Sequence, residues 1–235
     1  MSLVVTVYVP SGIVMAADSR MSVLRREERE EEGNTTQLQQ QLVLSDNAFK
    51  VVELAKIGVG VSLYDAGIIN SEPVDSHVQR FEEEVLAPED DVQTAAAKLM
   101  AHFRDKFPNV GIGFHMAGFI QEERASVPYV LVGHTTRDPQ IKRVNAREDD
   151  RVQYGITRAG DTQIANRLID SKQLPLFNAM PLQDAVDYAI HLIRTTIDTM
   201  RFEPRFPSVG GAIDIAIVTR DGFQWVQRKE LMGES

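Results

Sequence analysis

The second residue of the chain, Ser2, can supply two reactive groups from one position. If Met1 is removed, Ser2 carries a hydroxyl that can attack a carbonyl carbon. It also carries a free α-amine, with an ordinary pKa of about 8, that can accept the hydroxyl proton. Residues 3–9 follow at once with a strand pattern, which would hold both groups in a fixed place. An ordinary strand that ties down the terminus is the other interpretation.

The composition favours a soluble globular protein with a single domain. The chain has 235 residues, of which 43% are hydrophobic and 25% charged, and no apolar run approaches the roughly 20 residues of a membrane span. Cysteine is absent, which excludes disulfides and cysteine nucleophiles and favours a reducing cytoplasm. No signal-peptide pattern precedes the first strand. The net charge of −9 argues against nucleic acid as the main ligand.

Hydrophobic periodicity predicts groups of strands separated by pairs of helices. The predicted strands cover residues 3–9, 13–17, 49–54, 57–62, 111–121, 128–135, 140–145, 212–219 and 223–227. The predicted helices cover residues 64–86, with a break at Pro73, and residues 92–107, 161–171 and 182–202. Paired helices disfavour a doubly wound parallel sheet. We therefore expect an α+β fold, a four-layer αββα sandwich of two antiparallel sheets, as one domain over residues 1–235.

Residues 21–45 form a charged and glutamine-rich insertion in this pattern. They contain too few apolar residues to contribute to a core. We expect a solvated loop or an extended hairpin tip. The acidic run at residues 27–32 is the part that, in a ring of subunits, would face a neighbour or the entrance.

Three segments carry a family resemblance: GIVMAADSR at residues 12–20, NAFKVV at 47–52 and VGGAIDIAIVTRDG at 209–222. With them the chain resembles the proteasome β-subunit superfamily of N-terminal nucleophile hydrolases, which includes the HslV peptidase. The resemblance extends over nearly the whole chain. The segment FPSVGG at residues 206–211 is most similar to the bacterial Anbu-type members. The resemblance implies an Ntn-hydrolase fold, and we expect no cofactor or metal.

The resemblance also implies the site residues. In that family the nucleophile is the first mature residue, an acid follows about sixteen residues later, and an arginine stands two beyond the acid. Ser2, Asp18 and Arg20 match this spacing, and Lys50 matches the catalytic lysine that precedes a short apolar strand. A lysine ammonium lowers the pKa of a nearby amine by repulsion, and Asp18 would hold it in place. Gly60 is the nearest match to the backbone donor for the oxyanion.

Two departures from the family pattern lie in the first part of the chain. Most proteasome-type peptidases use threonine as the nucleophile, whereas this chain has Ser2. Serine lacks the β-branch that restricts the side-chain rotamer, so we expect a looser nucleophile. The stretch between Arg20 and Lys50 is about twice the usual length, so Lys50 is assigned from its downstream match alone.

Two further departures lie in the second half. Ala159 stands where the family has the serine of a Gly-Ser-Gly turn that supports the amine. Arg205 stands where the family has an acid, and Ser208 lies one place earlier than the family's serine. Thr157, Asp161 or Ser208 are the residues that would have to compensate.

The function expected from these residues is a cytoplasmic hydrolase that cleaves peptide or other amide bonds through an acyl-enzyme at Ser2. By resemblance we expect a homo-oligomer, as a ring or an open spiral, with an ATPase unfoldase as a candidate partner. Two other functions stay open: a catalytically silent ring subunit, and a small-molecule amidase. Ser2 as an exposed second residue, an Asp18–Arg20 salt bridge and a solvated Lys50 are the corresponding structural interpretations.

Metal and nucleotide chemistry are not indicated by the sequence. The histidines, His77, His102, His115, His134 and His191, are scattered without metal-ligand spacing. No glycine cluster opens a helix with the spacing of a phosphate-binding loop. We therefore expect core or surface roles for the histidines and no phosphate-binding loop.

Overall fold

Two five-stranded antiparallel sheets form the centre of the computed structural model, which describes residues 2–31, 34–123, 125–169 and 173–230. The first sheet has, in spatial order, β12 (Gly155–Gly160), β1 (Leu3–Val9), β2 (Gly12–Asp18), β13 (Ile213–Thr219) and β14 (Gly222–Gln227). The second has β11 (Asp138–Arg143), β10 (Ser126–His134), β9 (Ile112–Gln121), β6 (Val59–Asp65) and β5 (Val51–Leu54).

Helices cover the outer face of each sheet. The helices are α1 (Val74–Glu84), α2 (Val92–Lys106), α3 (Gln163–Leu168) and α4 (Leu182–Met200), with a short 3₁₀ helix at Phe177–Ala179. One apolar cluster packs α1 and α2 on the second sheet, another packs α3 and α4 on the first, and a third lies between the sheets. The four-layer αββα sandwich predicted from the sequence is confirmed.

Strand β1 shows why the start of the chain has a nearly continuous apolar pattern. It lies between β12 and β2, and all seven of its residues are buried. Val5 and Val7 belong to the cluster under α4, whereas Val4 and Tyr8 face the second sheet. A strand covered on both faces has no solvent side, so strict alternation of apolar and polar residues disappears. Burial of each such valine is worth about 1.5–3 kcal/mol, which anchors the segment after Ser2.

The charged insertion folds as a two-stranded ribbon, the extended hairpin of the two alternatives. Strands β3 (Met21–Glu31) and β4 (Asn34–Ser45) pair antiparallel from Met21 opposite Ser45 to Glu31 opposite Asn34. The ribbon is a separate two-stranded sheet outside the sandwich. It leaves the fold next to Arg20 and returns next to Asp46.

The helix predicted to begin at Tyr64 is wrong, because β6 continues through Asp65. Asp65, Asn70 and Ser71 have positive φ angles of 75°, 50° and 68°, which no right-handed helix accommodates. Two short strands, β7 (Ile68–Ile69) and β8 (Glu72–Pro73), fill this stretch instead. The predicted break at Pro73 is confirmed, since α1 begins at the next residue.

Strand β12 was not expected from the sequence. Its residues are only partly buried, and Thr157 and Arg158 interrupt any apolar pattern. It nevertheless pairs with β1 along its whole length and forms the edge of the first sheet beside Ser2. No helix among the described residues is long and apolar enough to cross a membrane.

Candidate active site

Asp18, at the end of β2, is the centre of the hydrogen-bond network beside Ser2. Its Oδ1 accepts from Leu3 N at 2.9 Å and from Lys50 Nζ at 2.7 Å. Its Oδ2 accepts from Gly210 N at 2.9 Å and from Arg20 N at 3.1 Å. The side chain has no exposed surface. A carboxylate with four donors is held in one orientation, so its role is to position its partners.

Lys50 brings a buried cation to this network. It lies directly before β5, and its side chain is 7% exposed. Burial lowers the pKa of Lys50 below the ordinary value for lysine, while the Asp18 carboxylate acts in the opposite direction. The ammonium therefore loses its proton more readily than that of a solvated lysine. The interpretation of Lys50 as a solvated side chain does not agree with this burial.

Ser2 is buried and is held through its backbone. Its carbonyl oxygen accepts a hydrogen bond from Asp161 N at 2.7 Å. Gly160, opposite Leu3 in β12, has a φ of +89°, and a Cβ atom there would lie 1.8 Å from the Ser2 carbonyl oxygen. Only glycine allows β12 to approach the candidate nucleophile this closely. Ser2 is therefore not an exposed second residue.

Asp161 links Ser2 to Ser208 and Arg205. Its Oδ2 accepts from Ser208 Oγ and from Arg205 Nη1 at 2.6 Å. Burial acts to raise the pKa of Asp161, but these two hydrogen bonds, the charge of Arg205 and the backbone N–H of Gln163 together outweigh it, so the pKa falls. Two of the three residues named as compensating are thus brought together behind Ser2. Thr157 is not, because it lies in the middle of β12.

Arg20 connects three segments around Asp18. Its Nε and Nη2 donate to the two carboxylate oxygens of Asp46 at 2.6 Å and 2.8 Å, and its Nη1 donates to Pro207 O at 3.0 Å. A Cβ atom at Gly210 would lie 2.5 Å from the Arg20 guanidinium carbon. Arg20 makes its ion pair with Asp46, while Asp18 receives only its backbone N–H. The Asp18–Arg20 salt bridge of the alternative structural interpretation is therefore not formed.

A second lysine with a largely buried side chain, Lys229, is not among the residues that the sequence pattern indicates. Its Nζ donates to Ser19 Oγ at 2.9 Å and to the Asp214 carboxylate, and stands 4.2 Å from the centre of the Phe49 ring. Ser19 and Phe49 each adjoin a residue of the central ion pair in sequence. Lys229 therefore supports both sides of that pair. The available signal was Asp214, an acid between two isoleucines of a buried strand, which requires a partner.

A pocket opens beside Ser2 and Lys50. The empty space in and around it is about 370 Å³, which includes open solvent. Its walls are Ser2, Arg20, Met21, Ser22, Ala48, Phe49, Lys50, Leu63, Asp65, Ala66, Gly67, Val74 and Asp75. Gly60 is not among them: it lies within β6, where a Cβ atom would meet Met15 and Phe223. The structure does not bring Gly60 to the site.

The histidines near the site have protein partners. His115 Nδ1 lies 3.0 Å from Thr6 Oγ1 between the sheets, and burial lowers the pKa of His115 to about 3. His134 Nε2 lies 2.8 Å from Asp65, whose carboxylate also contacts Arg137 at 2.8 Å. Within the part of the chain that the structure describes, no group of three or more His, Cys, Asp or Glu residues could hold a metal ion.

Two antiparallel sheets between helix pairs, with the candidate nucleophile directly before a central strand, define an Ntn-hydrolase fold. The solved structure of Anbu from Hyphomicrobium sp. strain MC1, a Gly-1 mutant, is similar to this chain with a TM-score of 0.62. The match covers 97% of this chain and 86% of that chain at 18% sequence identity. The Anbu-type, proteasome-like fold implied by the motifs is thereby confirmed. No family model and no curated protein matches the chain.

Proposed function

We propose that this protein is a proteasome-like N-terminal nucleophile hydrolase that cleaves amide bonds through Ser2 after removal of Met1. The observation that carries this proposal is the buried ion pair of Lys50 with Asp18, whose lysine lies in the wall of the same pocket as Ser2. Asp18 also receives the N–H of Leu3, so one carboxylate fixes both the lysine and the backbone that follows the nucleophile. Residue 1 lies outside the described residues, and its removal is part of the proposal.

The chemistry follows from the groups on Ser2. As Oγ forms a bond to the amide carbon, the α-amine takes the hydroxyl proton. The tetrahedral intermediate collapses, the carbon–nitrogen bond breaks, and that proton passes to the departing amine. The acyl group then remains as an ester on Ser2. Water attacks this ester with the same amine as base, which releases a carboxylic acid and restores the hydroxyl.

The other residues position these groups. The Lys50 ammonium repels the protonated form of the α-amine and so keeps the amine available as a base. Arg20 holds the loops on either side of Asp18. Ser208 acts through Asp161, whose backbone N–H binds the Ser2 carbonyl. Gly60, outside the pocket, has no part in the proposed site.

The decisive experiment combines intact mass with hydrolysis. The protein is purified from its native host, and its mass shows whether Ser2 is the first residue. Fluorogenic peptide amides and simple acyl amides are then offered to the wild type and to Ser2→Ala. We expect at least a 100-fold loss of hydrolysis in Ser2→Ala with an unchanged melting temperature, and full activity in the control Ser126→Ala. Equal hydrolysis by wild type and Ser2→Ala would refute the role of Ser2.

The same experiment separates the two alternative functions. A silent ring subunit is favoured by Ala159 and Arg205, which replace a hydroxyl and an acid of the family pattern. It would retain residue 1 and hydrolyse nothing. A small-molecule amidase would cleave acyl amides and leave peptides intact.

The proposal extends to assembly and location. By resemblance, the protein forms a homo-oligomeric ring or spiral, works with an ATPase unfoldase and resides in the cytoplasm. Light scattering on the purified protein tests the first point. A monomer at micromolar concentration would contradict it.

A further inference from the structure

The pocket beside Ser2 has an unbalanced charge. Its ionisable side chains are Arg20, Lys50, Asp65 and Asp75. The first three have partners of opposite charge: Arg20 with Asp46, Lys50 with Asp18, and Asp65 with Arg137. Asp65 also contacts His134 Nε2 at 2.8 Å. Asp75 has no hydrogen bond or ion pair with another side chain among the described residues. The hydrogen bond that lowers its pKa comes from its own backbone N–H.

The surroundings of Asp75 favour a cation that comes from outside the protein. Asp75 is half-buried in the first turn of α1, and burial raises the pKa of its carboxyl group. The helix N-terminus favours its ionised form. Lys229 is a cation that acts on it, but the Lys229 ammonium is already bound to Asp214 and Ser19. A poorly solvated carboxylate without a partner is strongly stabilised when a cation binds next to it.

A second unsatisfied group lies in the same wall. Ser22 Oγ is buried and has no hydrogen-bond partner among the described residues. A buried hydroxyl without a partner costs free energy, which a ligand N–H donor would recover. Phe49, Leu63 and Val74 supply apolar wall between these polar groups. An apolar wall that includes a carboxylate and a hydroxyl suits an aliphatic stem with a cationic, N–H-rich end.

We propose that this pocket binds a lysine or arginine side chain adjacent to the scissile amide bond, with Asp75 as the counter-ion and Ser22 as a second acceptor. The substrate class is therefore a basic peptide. This inference rests on the proposed function of Ser2 for the position of the scissile bond. The binding of the basic side chain itself depends only on the pocket.

The test measures binding and hydrolysis separately. Four peptides that differ in one residue, arginine, lysine, norleucine or glutamate, are titrated into Ser2→Ala protein by calorimetry. We expect arginine and lysine to bind at least tenfold more tightly than norleucine, and glutamate most weakly. Asp75→Asn should abolish the difference, and Asp75→Lys should make glutamate the preferred residue. Ser22→Ala should weaken arginine binding a few-fold.

Glu53→Gln is the matched control. Glu53 borders a neighbouring depression that shares Phe49 and Asp75 with the pocket, but it does not line the pocket beside Ser2. Glu53→Gln also removes one carboxylate, but it should leave the preference for arginine and lysine peptides unchanged. An equal effect of Glu53→Gln and Asp75→Asn would show a general charge effect and overturn the inference.

Hydrolysis by the wild-type protein distinguishes the two proposals. Cleavage of norleucine and arginine substrates at equal kcat/KM, with equal binding, overturns the basic substrate class and leaves the hydrolase intact. Preferred binding of arginine without hydrolysis of any substrate refutes the hydrolase and supports the subsite. A preference that survives in both Asp75 variants refutes the role of Asp75.

Discussion

Lys50 donates to Asp18 at 2.7 Å, with the two side chains 7% and 0% exposed. Asp18 keeps three backbone N–H donors besides this lysine. The Lys50 side chain has no other hydrogen bond within the described part of the chain. The carboxylate is therefore the fixed member of the pair, and the lysine is oriented by it. This asymmetry suits a site in which the ammonium must stay beside Ser2.

The first prediction concerns Lys50→Met. The change leaves the Asp18 carboxylate buried with only neutral donors, so we expect the free energy of unfolding to fall by about 3 kcal/mol. Hydrolysis should fall by at least 100-fold, because the cation beside the α-amine is lost. Urea unfolding and kcat/KM measure the two effects. The control is Lys142→Met, which breaks the exposed pair with Asp138 and should change stability far less. Equal destabilisation by both variants would contradict the prediction.

The second prediction separates backbone strain from the approach to Ser2. Gly160 and Gly222 both have positive φ angles, +89° and +110°. A Cβ atom at Gly160 meets the Ser2 carbonyl at 1.8 Å, whereas at Gly222 it meets no atom within 4 Å. Gly222→Ala should therefore cost only the strain, about 1 kcal/mol. Gly160→Ala should cost more and also abolish hydrolysis, since β12 must move away from Ser2. Similar melting temperatures and activities would show that the close approach is unimportant.

The parts of the fold that could be predicted from the sequence are those with local signals. Helix α2 was predicted at residues 92–107 and begins at Val92, because the Asp91 side chain accepts from Thr94 N and fixes the first turn. The composition of the segment after Tyr64 is compatible with a helix or with strands, and the sequence pattern predicted a helix. Positive φ angles at Asp65 and Asn70 decided the outcome, and no periodicity reveals them.

The site shows the same division. The spacing of Ser2, Asp18 and Arg20 could be matched to a family, and so could the apolar strand that follows Lys50. Ser2, Asp18 and Lys50 do lie close together. Asp161 was only one of three alternatives, since its contact with Ser2 depends on the pairing of β12 with β1. Lys229 and Ser19 lie near opposite ends of the sequence, and a contact between residues so far apart leaves no pattern in a single sequence.

The third prediction is that the charge of Lys229 lowers the upper pH limit of activity. Burial lowers the pKa of Lys50 first of all, and the charge of Lys229 lowers it further. If catalysis needs the Lys50 ammonium, activity disappears as pH rises through this pKa. Removal of the Lys229 charge raises the pKa, so the alkaline limb of kcat/KM should move to higher pH. The variant is Lys229→Met with Asp214→Asn, which avoids an unpaired buried carboxylate.

The shift of the limb distinguishes this role from a purely structural one. Loss of support at Ser19 and Phe49 alone would reduce kcat/KM by the same factor at every pH. Arg228→Met is the control: its guanidinium stands over Phe49 at 5.0 Å and Trp225 at 4.8 Å. It is not one of the charges that act on Lys50. The alkaline limb of kcat/KM for Arg228→Met should coincide with that of the wild type. If the alkaline limb of the Lys229 variant also coincides with that of the wild type, the prediction is refuted.

The fourth prediction concerns His115 and stability in acid. Burial lowers the pKa of His115 to about 3, against an ordinary value of about 6.5 in the unfolded chain. Between these values the unfolded chain binds more protons, so the contribution of His115 to stability is complete above pH 6.5. It is lost progressively as pH falls toward 3, by about 2 kcal/mol between pH 7 and pH 5. Between pH 7 and pH 5 the free energy of unfolding of His115→Asn should therefore fall by about 2 kcal/mol less than that of the wild type.

The control for this prediction keeps the imidazole and removes its partner. Thr6→Val deletes the hydroxyl 3.0 Å from His115 Nδ1 and leaves the ring buried between the sheets. Desolvation is the cause of the low pKa, so this variant should keep the wild-type pH dependence although its stability is lower. Urea unfolding at pH 5, 6 and 7 gives the slope for all three proteins. If Thr6→Val flattens the slope as much as His115→Asn, the hydrogen bond and not burial controls the titration, and the prediction is wrong.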